Sequence, residues 1–187
     1  MPHIHTEPGQ HDHTVTAFIV RDDMDEPRLL LHMHRKLNRL LPPGGHIELD
    51  ETPWAALSHE VNEEAGYVID ELEILQPKLR LSAVSGIVVH PRPILHNTHD
   101  FSDTHFHTDL DYLLIAHQAP LNQPQAGEST DLRWLTLGEI RALSPEDTYD
   151  NIREIAEYIF TKLLDSPEYE RIPASQFITN DPKGRNL

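Results

Sequence analysis

The segment from Pro42 to Gly66 admits very few conformations. Pro42-Pro43-Gly44-Gly45 is incompatible with helix or central strand, so it must turn tightly and leave backbone free to approach a ligand. Thr52-Pro53 follows as an N-cap with proline at the first helical position. Trp54, Leu57, Val61 and Ala65 then recur at helical spacing, an apolar stripe that docks on a sheet and fixes the helix's rotation. Gly66 supplies a left-handed stop. The spacing predicts a helix over 53–65, entered from a glycine loop.

That helix carries Glu60, Glu63 and Glu64 at spacings of three and four. At roughly 100° per residue they occupy one arc. Like charges so placed destabilise a helix by a few tenths of a kcal/mol per pair. They also crowd its C-terminal end, where the macrodipole disfavours anions. Violating local preference twice in one turn is the mark of a site. The compensation such an arc calls for is a hard divalent cation, Mg²⁺ or Mn²⁺, which takes carboxylate oxygens together with substrate phosphates.

Gly45, five residues, Glu51, seven residues, then His59-Glu60-Val61-Asn62-Glu63-Glu64-Ala65-Gly66-Tyr67 resembles the signature box of the Nudix hydrolases. Every fixed position of that box matches except one: the usual arginine is His59. The resemblance implies an α/β/α sandwich around a mixed β-sheet. It also implies hydrolysis of a nucleoside diphosphate linked to another group, with Mg²⁺ or Mn²⁺ as cofactor. Glu60, Glu63 and Glu64 become the catalytic set. Glu63 and Glu64 are the first metal ligands, and the Gly45 carbonyl and Glu60 complete the shell. Glu60 is also a candidate base, and the carboxylate in that role varies within the family. Glu128, in the polar loop before Trp134, sits where related hydrolases supply a further acidic ligand, with Asp131 its near rival. Glu51 is expected to anchor the loop to the helix through His59.

Histidine at 59 is shorter than arginine, forms no two-pronged donor, and is charged only when its pKa allows. Two readings follow. One is a hydrolase whose activity is weaker or more pH-dependent; the other is a Nudix-fold nucleotide-binding or regulatory module. Isopentenyl diphosphate isomerases share the fold but use a catalytic cysteine, and this chain has none. Nothing in the sequence chooses among nucleoside triphosphates, nucleotide sugars and other diphosphates as substrate.

Outside the box, His105, His107, Asp109 and Asp111 alternate and so share one face of a strand. Such a face is too polar for core, and His105, His107 and Asp109 are candidates for a substrate pocket wall. His32 and His34 alternate on an earlier strand, a pattern that ordinarily faces solvent. Next to them Arg35 or Lys36 could reach a phosphate. Arg80, Arg92 and Arg133 are scattered, and nothing ranks them.

The formal net charge of −16 argues against nucleic-acid polymers, which need a positive footprint. Protonating the 14 histidines would cancel nearly all of that charge, so surface potential should change steeply near pH 6. His3, His5, His11 and His13 could chelate adventitious transition metals. A small-molecule nucleotide is the expected partner, a membrane is not, and a homodimer is an allowed assembly. With no cysteine, no apolar run of membrane-spanning length and no basic-then-apolar leader pattern, a soluble cytoplasmic protein is expected.

The 187 residues suit one domain. Strands are expected at 13–22, 28–35, around Ile47, and at 68–75, 79–89, 106–117 and 133–135. Residues 37–41 lead into the diglycine loop. Polar connections are expected at 90–104 and 120–130, and helices at 138–143 and 148–164. The domain is expected to span 1–165, with 166–187 a surface-lying or mobile tail.

Overall fold

A computed structural model describes Glu7 and residues 9–177. The chain runs through β1 (His11–Arg21), β2 (Arg28–His34), β3 (Arg39–Leu41), β4 (Gly44–His46), α1 (Pro53–Ala65), β5 (Leu72–Pro77), β6 (Leu95–Ser102), β7 (His105–Ala116), β8 (Leu132–Leu135), α2 (Leu137–Ala142), α3 (Asp150–Tyr158) and β9 (Tyr169–Pro173). The main path across the sheet is β3-β2-β1-β7-β5-β9, with β4 on β1, β6 on β7 and β8 on β2. Among the described residues only β1 and β7 run parallel, in register from His11–Phe106 to Arg21–Ala116; the other pairings there are antiparallel. The sheet is therefore mixed, as expected.

The central pair is apolar on both faces because both are covered. Val15, Ala17 and Ile19 of β1 and Tyr112 and Leu114 of β7 pack against Trp54, Leu57 and Val61 of α1. Their neighbours Phe18, Val20, Leu113 and Ile115 face the other way, onto Ile140 of α2 and Ile152 and Ala156 of α3. Two helical layers thus sandwich one sheet. α1 begins and ends where its sequence dictates. The Thr52 hydroxyl accepts from the Ala55 N–H at 3.3 Å, and Gly66 caps the other end at φ 74°. A Cβ at Gly66 would also lie 2.3 Å from the Asn122 carbonyl oxygen, so that position tolerates only glycine.

Several expected elements differ. Residues 79–89 form no strand, only an isolated bridge between Val84 and Ile87, and Leu79 is 92% exposed. Their natural place beside β5 is taken by β9, which pairs from Glu73–Pro173 to Pro77–Tyr169. The segment after residue 165, expected as a tail, therefore supplies an edge strand of the sheet; its last ten residues, 178–187, lie outside the described residues. The connection expected at 90–104 contains β6, hairpinned to β7. Its side chains are largely exposed and polar, so no apolar alternation betrays it. The short strand expected around Ile47 is instead the diglycine itself: Gly44–His46 pairs with Thr14–Thr16 of β1. A 3₁₀ turn over Ile69–Glu71 precedes β5, and α3 continues as a π-turn over Ile159–Leu163.

Candidate active site

Gly44 and Gly45 lie between β1 and the C-terminal half of α1. The Ala17 N–H donates to the Pro43 carbonyl at 2.8 Å and the Ile47 N–H to the His13 carbonyl at 2.9 Å, which pins both ends of the glycine strand. Glu60 then packs directly on Gly45: a Cβ there would sit 2.1 Å from Glu60 Oε1. Glu64 accepts the Gly44 N–H at 2.9 Å. Both carboxylates are buried. Burial, aided by Glu63, pushes the Glu60 carboxyl up to about 7. Burial also pushes Glu64 up to about 8, against the opposing Gly44 hydrogen bond.

His32 Nε2 lies 3.3 Å from Glu64 Oε2. Burial, with His34 beside it, lowers the His32 pKa to about 4. The contact is therefore one of neutral imidazole with carboxyl, not an ion pair. The sequence pointed His32 toward solvent; the structure buries it against the glutamates.

His59 takes up both of its nitrogens. Nε2 lies 2.9 Å from Glu63 Oε1 and Nδ1 lies 3.4 Å from Glu51 Oε1. Partial burial lowers its pKa, but the charges of Glu63 and Glu51 outweigh that and leave it raised. An imidazolium there reaches two carboxylates with one ring, the bridging that a two-pronged guanidinium would otherwise provide.

The polar loop before β8 folds back on the same end of α1. The Asn122 N–H donates to the Gly66 carbonyl and the Gln125 N–H to the Glu63 carbonyl. The Glu128 charge helps raise the pKa of both Glu60 and Glu64. Asp131, its rival by sequence, is held instead in a fork with Arg133 at 2.7 and 3.0 Å. Arg35 is exposed beside this loop, donating to the Gly127 carbonyl at 2.6 Å.

The structure thus gathers Gly45, Glu60, Glu63, Glu64, Glu128 and Arg35 at one end of α1. His105, His107 and Asp109 do share a strand face, but it is the face opposite α1. Thr16 donates its hydroxyl to Asp109 at 2.7 Å, and Asn97 donates to Asp111 at 3.0 Å. Sequence reasoning missed Gly44 as a donor, and Asp12 and His46 as neighbours of the buried histidines. The last two carry no local signal, because only the β1–β7 and β1–β4 registers bring them there.

The residues present fit a divalent cation. They offer hard oxygen donors, two of them buried carboxyls that resist ionisation, around a cradle that a single Cβ at position 45 would fill.

The family model described as NUDIX domain matches residues 11–158. A NUDIX-family hydrolase from Clostridium perfringens is 30% identical, with a TM-score of 0.62, over 78% of this chain and 93% of that one. An Ap4A hydrolase from C. elegans, 16% identical, aligns with a TM-score of 0.58 over 81% and 97%. The NUDIX domain of Shewanella oneidensis NrtR, solved with ADP ribose, is 17% identical with a TM-score of 0.54 over 81% and 90%. No curated protein is detectably similar. The chain belongs to the Nudix family and is a Nudix hydrolase.

Proposed function

We propose that this hydrolase cleaves a phosphoric anhydride bond in a nucleoside diphosphate linked to another group, with Mg²⁺ or Mn²⁺ bound by the Gly45 carbonyl, Glu60, Glu63, Glu64 and Glu128. The observation that carries this reading is the pair of buried carboxyls, Glu60 and Glu64, held against the Gly44–Gly45 backbone. A bound divalent cation neutralises phosphate charge and lowers the pKa of water. The chain's own residues do the positioning. Gly44 and His32 fix Glu64, and His59 fixes Glu63 relative to Glu51. Glu60 is the carboxylate assigned to orient the attacking water and accept its proton. Arg35, exposed at the rim, is assigned to substrate phosphate.

Relatives of known substrate support a small nucleotide: the aligned proteins include an Ap4A hydrolase, a UDP-X diphosphatase and a domain complexed with ADP ribose. We place the activity in the cytoplasm as part of this proposal. Separately, among the described residues no helix is long and apolar enough to cross a membrane.

The test is a panel of nucleoside triphosphates, dinucleoside polyphosphates, nucleotide sugars and ADP ribose, with Mg²⁺, Mn²⁺ or excess chelator, scored by released phosphate or monophosphate. Turnover of at least one diphosphate only with added metal is expected. Full turnover in chelator overturns the metal assignment. Tight nucleotide binding without turnover on any substrate would make the chain a binding module instead.

A further inference from the structure

Behind the diglycine strand, on the sheet face away from α1, one carboxylate and three imidazoles of the described residues converge. Asp12 lies directly across β1–β7 from His107. His105 projects from the same face two residues earlier, and His46 enters from β4, paired to Thr14. The Asp12 side chain is fully buried. His105 Nε2 lies 3.4 Å from its Oδ2, and His46 Nε2 lies 3.5 Å from the same oxygen. One ligand atom from each of Asp12, His105 and His107 falls within 4.8 Å of the others.

We propose that Asp12, His105 and His107, with His46 as fourth ligand, form a second metal centre, for Zn²⁺ or a similar borderline divalent ion. The donor set decides the ion. Imidazole nitrogens with one carboxylate suit zinc and its first-row neighbours, whereas Mg²⁺ takes oxygen and keeps its water. The spacing agrees. Ligands about 2.0–2.1 Å from a tetrahedral ion lie about 3.3 Å from one another, close to the two Asp12–histidine distances. All four donors stand on strands, so their backbones are already placed. Phe101 stacks on the His107 ring at 4.7 Å and meets His105 edge-on at 6.1 Å, which limits ring rotation. His11 and His13, at odd positions of β1, point to the other face and take no part. The ion would tie β1, β4 and β7 together beside Gly45. The proposal does not depend on which substrate is hydrolysed, or on hydrolysis at all.

The experiment uses the full chain, expressed without a histidine tag and stripped with chelator. Zn²⁺ is titrated calorimetrically in excess Mg²⁺, which occupies the carboxylate arc. One tight equivalent is expected. It should weaken about 100-fold or more in His105→Gln and His107→Gln, and persist in Glu64→Gln and in the double variant His11→Gln/His13→Gln. No tight binding, unchanged binding in both β7 variants, or loss in either control overturns the proposal. Should the β7 variants fail to fold by circular dichroism, the Co²⁺-loaded wild-type protein decides. Intense visible bands of a four-coordinate nitrogen-containing site support the centre, and the weak bands of a six-coordinate oxygen site overturn it.

Discussion

At the scale of single residues, the site depends on groups that are costly where they stand. Glu64 is a buried carboxyl surrounded by the charges of Glu60, Glu63 and Glu128, and among the described residues the Gly44 N–H opposes that cost. Glu64→Gln keeps an oxygen for Gly44 and is neutral without having to hold a proton that the unfolded carboxyl would give up. The metal-free variant should melt at the same temperature as wild type or higher. Its kcat should fall by more than the ~100-fold typical of losing an outer partner of a metal ligand. Paired melting curves and initial rates check both halves; near-normal turnover would move the catalytic cluster elsewhere. His59 acts one step further out. Its ring spans Glu63 and Glu51, so His59→Ala should lower kcat about 10–100-fold with little change in KM. His59→Arg should recover most of that loss, because a guanidinium can make both contacts. A variant rescued equally by leucine would show that His59 merely fills space.

At the scale of elements, legibility in the sequence follows locality. α1 was readable to the residue, because its cap, proline, stripe and terminal glycine all lie within the segment they define. The carboxylate arc was readable for the same reason. β6 was not: an exposed strand of His, Asn, Thr and Asp has no burial pattern, and it exists only because β7 templates it. The run 79–89 was misleading in the opposite sense, rich in apolar residues yet largely exposed, the place beside β5 being taken by β9. Likewise the polar face of β7 was legible as a face, but its partners Asp12 and His46 come from registers no local pattern encodes. The strand ends carry a pH-dependent tie of the same non-local kind. His117, closing β7, meets Asp22 at 2.7 Å and Glu73 of β5 at 3.0 Å, while Arg171 of β9 also reaches Asp22 and Asp23 stands nearby. The hydrogen bond to Asp22, then that to Glu73, raises the His117 pKa. Burial alone would raise the Asp22 carboxyl, but His117 and Arg171 outweigh it and hold it low. The stabilisation from His117 is thus fully present below about pH 6.5, the unfolded value, and is lost as pH rises through the raised folded value. Being half exposed, the tie belongs to the ~0–1 kcal/mol class, or at most about 2–4 °C in Tm. Melting wild type and His117→Gln from pH 5 upward should show a gap that closes on the alkaline side; a gap constant with pH would mean the ring contributes by packing alone.

At the scale of the whole molecule, the sheet is finished by the part of the chain that the sequence set aside. β5 lies between β7 and β9, and without β9 its outer edge would present an open row of backbone donors and acceptors. Ile172 packs against the α1-side core and Tyr169 against the other, so β9 seals both layers at that side of the sandwich. Two further contacts reach β9 from outside the sheet pairing: Arg80 meets Glu170 at 2.6 Å, and Arg171 meets Asp22. None of this touches the carboxylate arc, which is built from β4, α1 and the loop before β8. The fold therefore predicts a separation of stability from chemistry. A chain ended after Pro167 should melt several degrees below one ended after Phe177, each lost kcal/mol being worth about 2–4 °C at this size. It should also scatter light on heating, since an unpaired edge strand recruits other chains. Well below its melting temperature it should keep the same kcat on any substrate the longer chain turns over. Thermal melts, light scattering and rates on the two truncations check this. Equal melting temperatures would show that β9 adds nothing to the sheet, and a selective loss of kcat in the shorter chain would show that this side of the sandwich reaches the site.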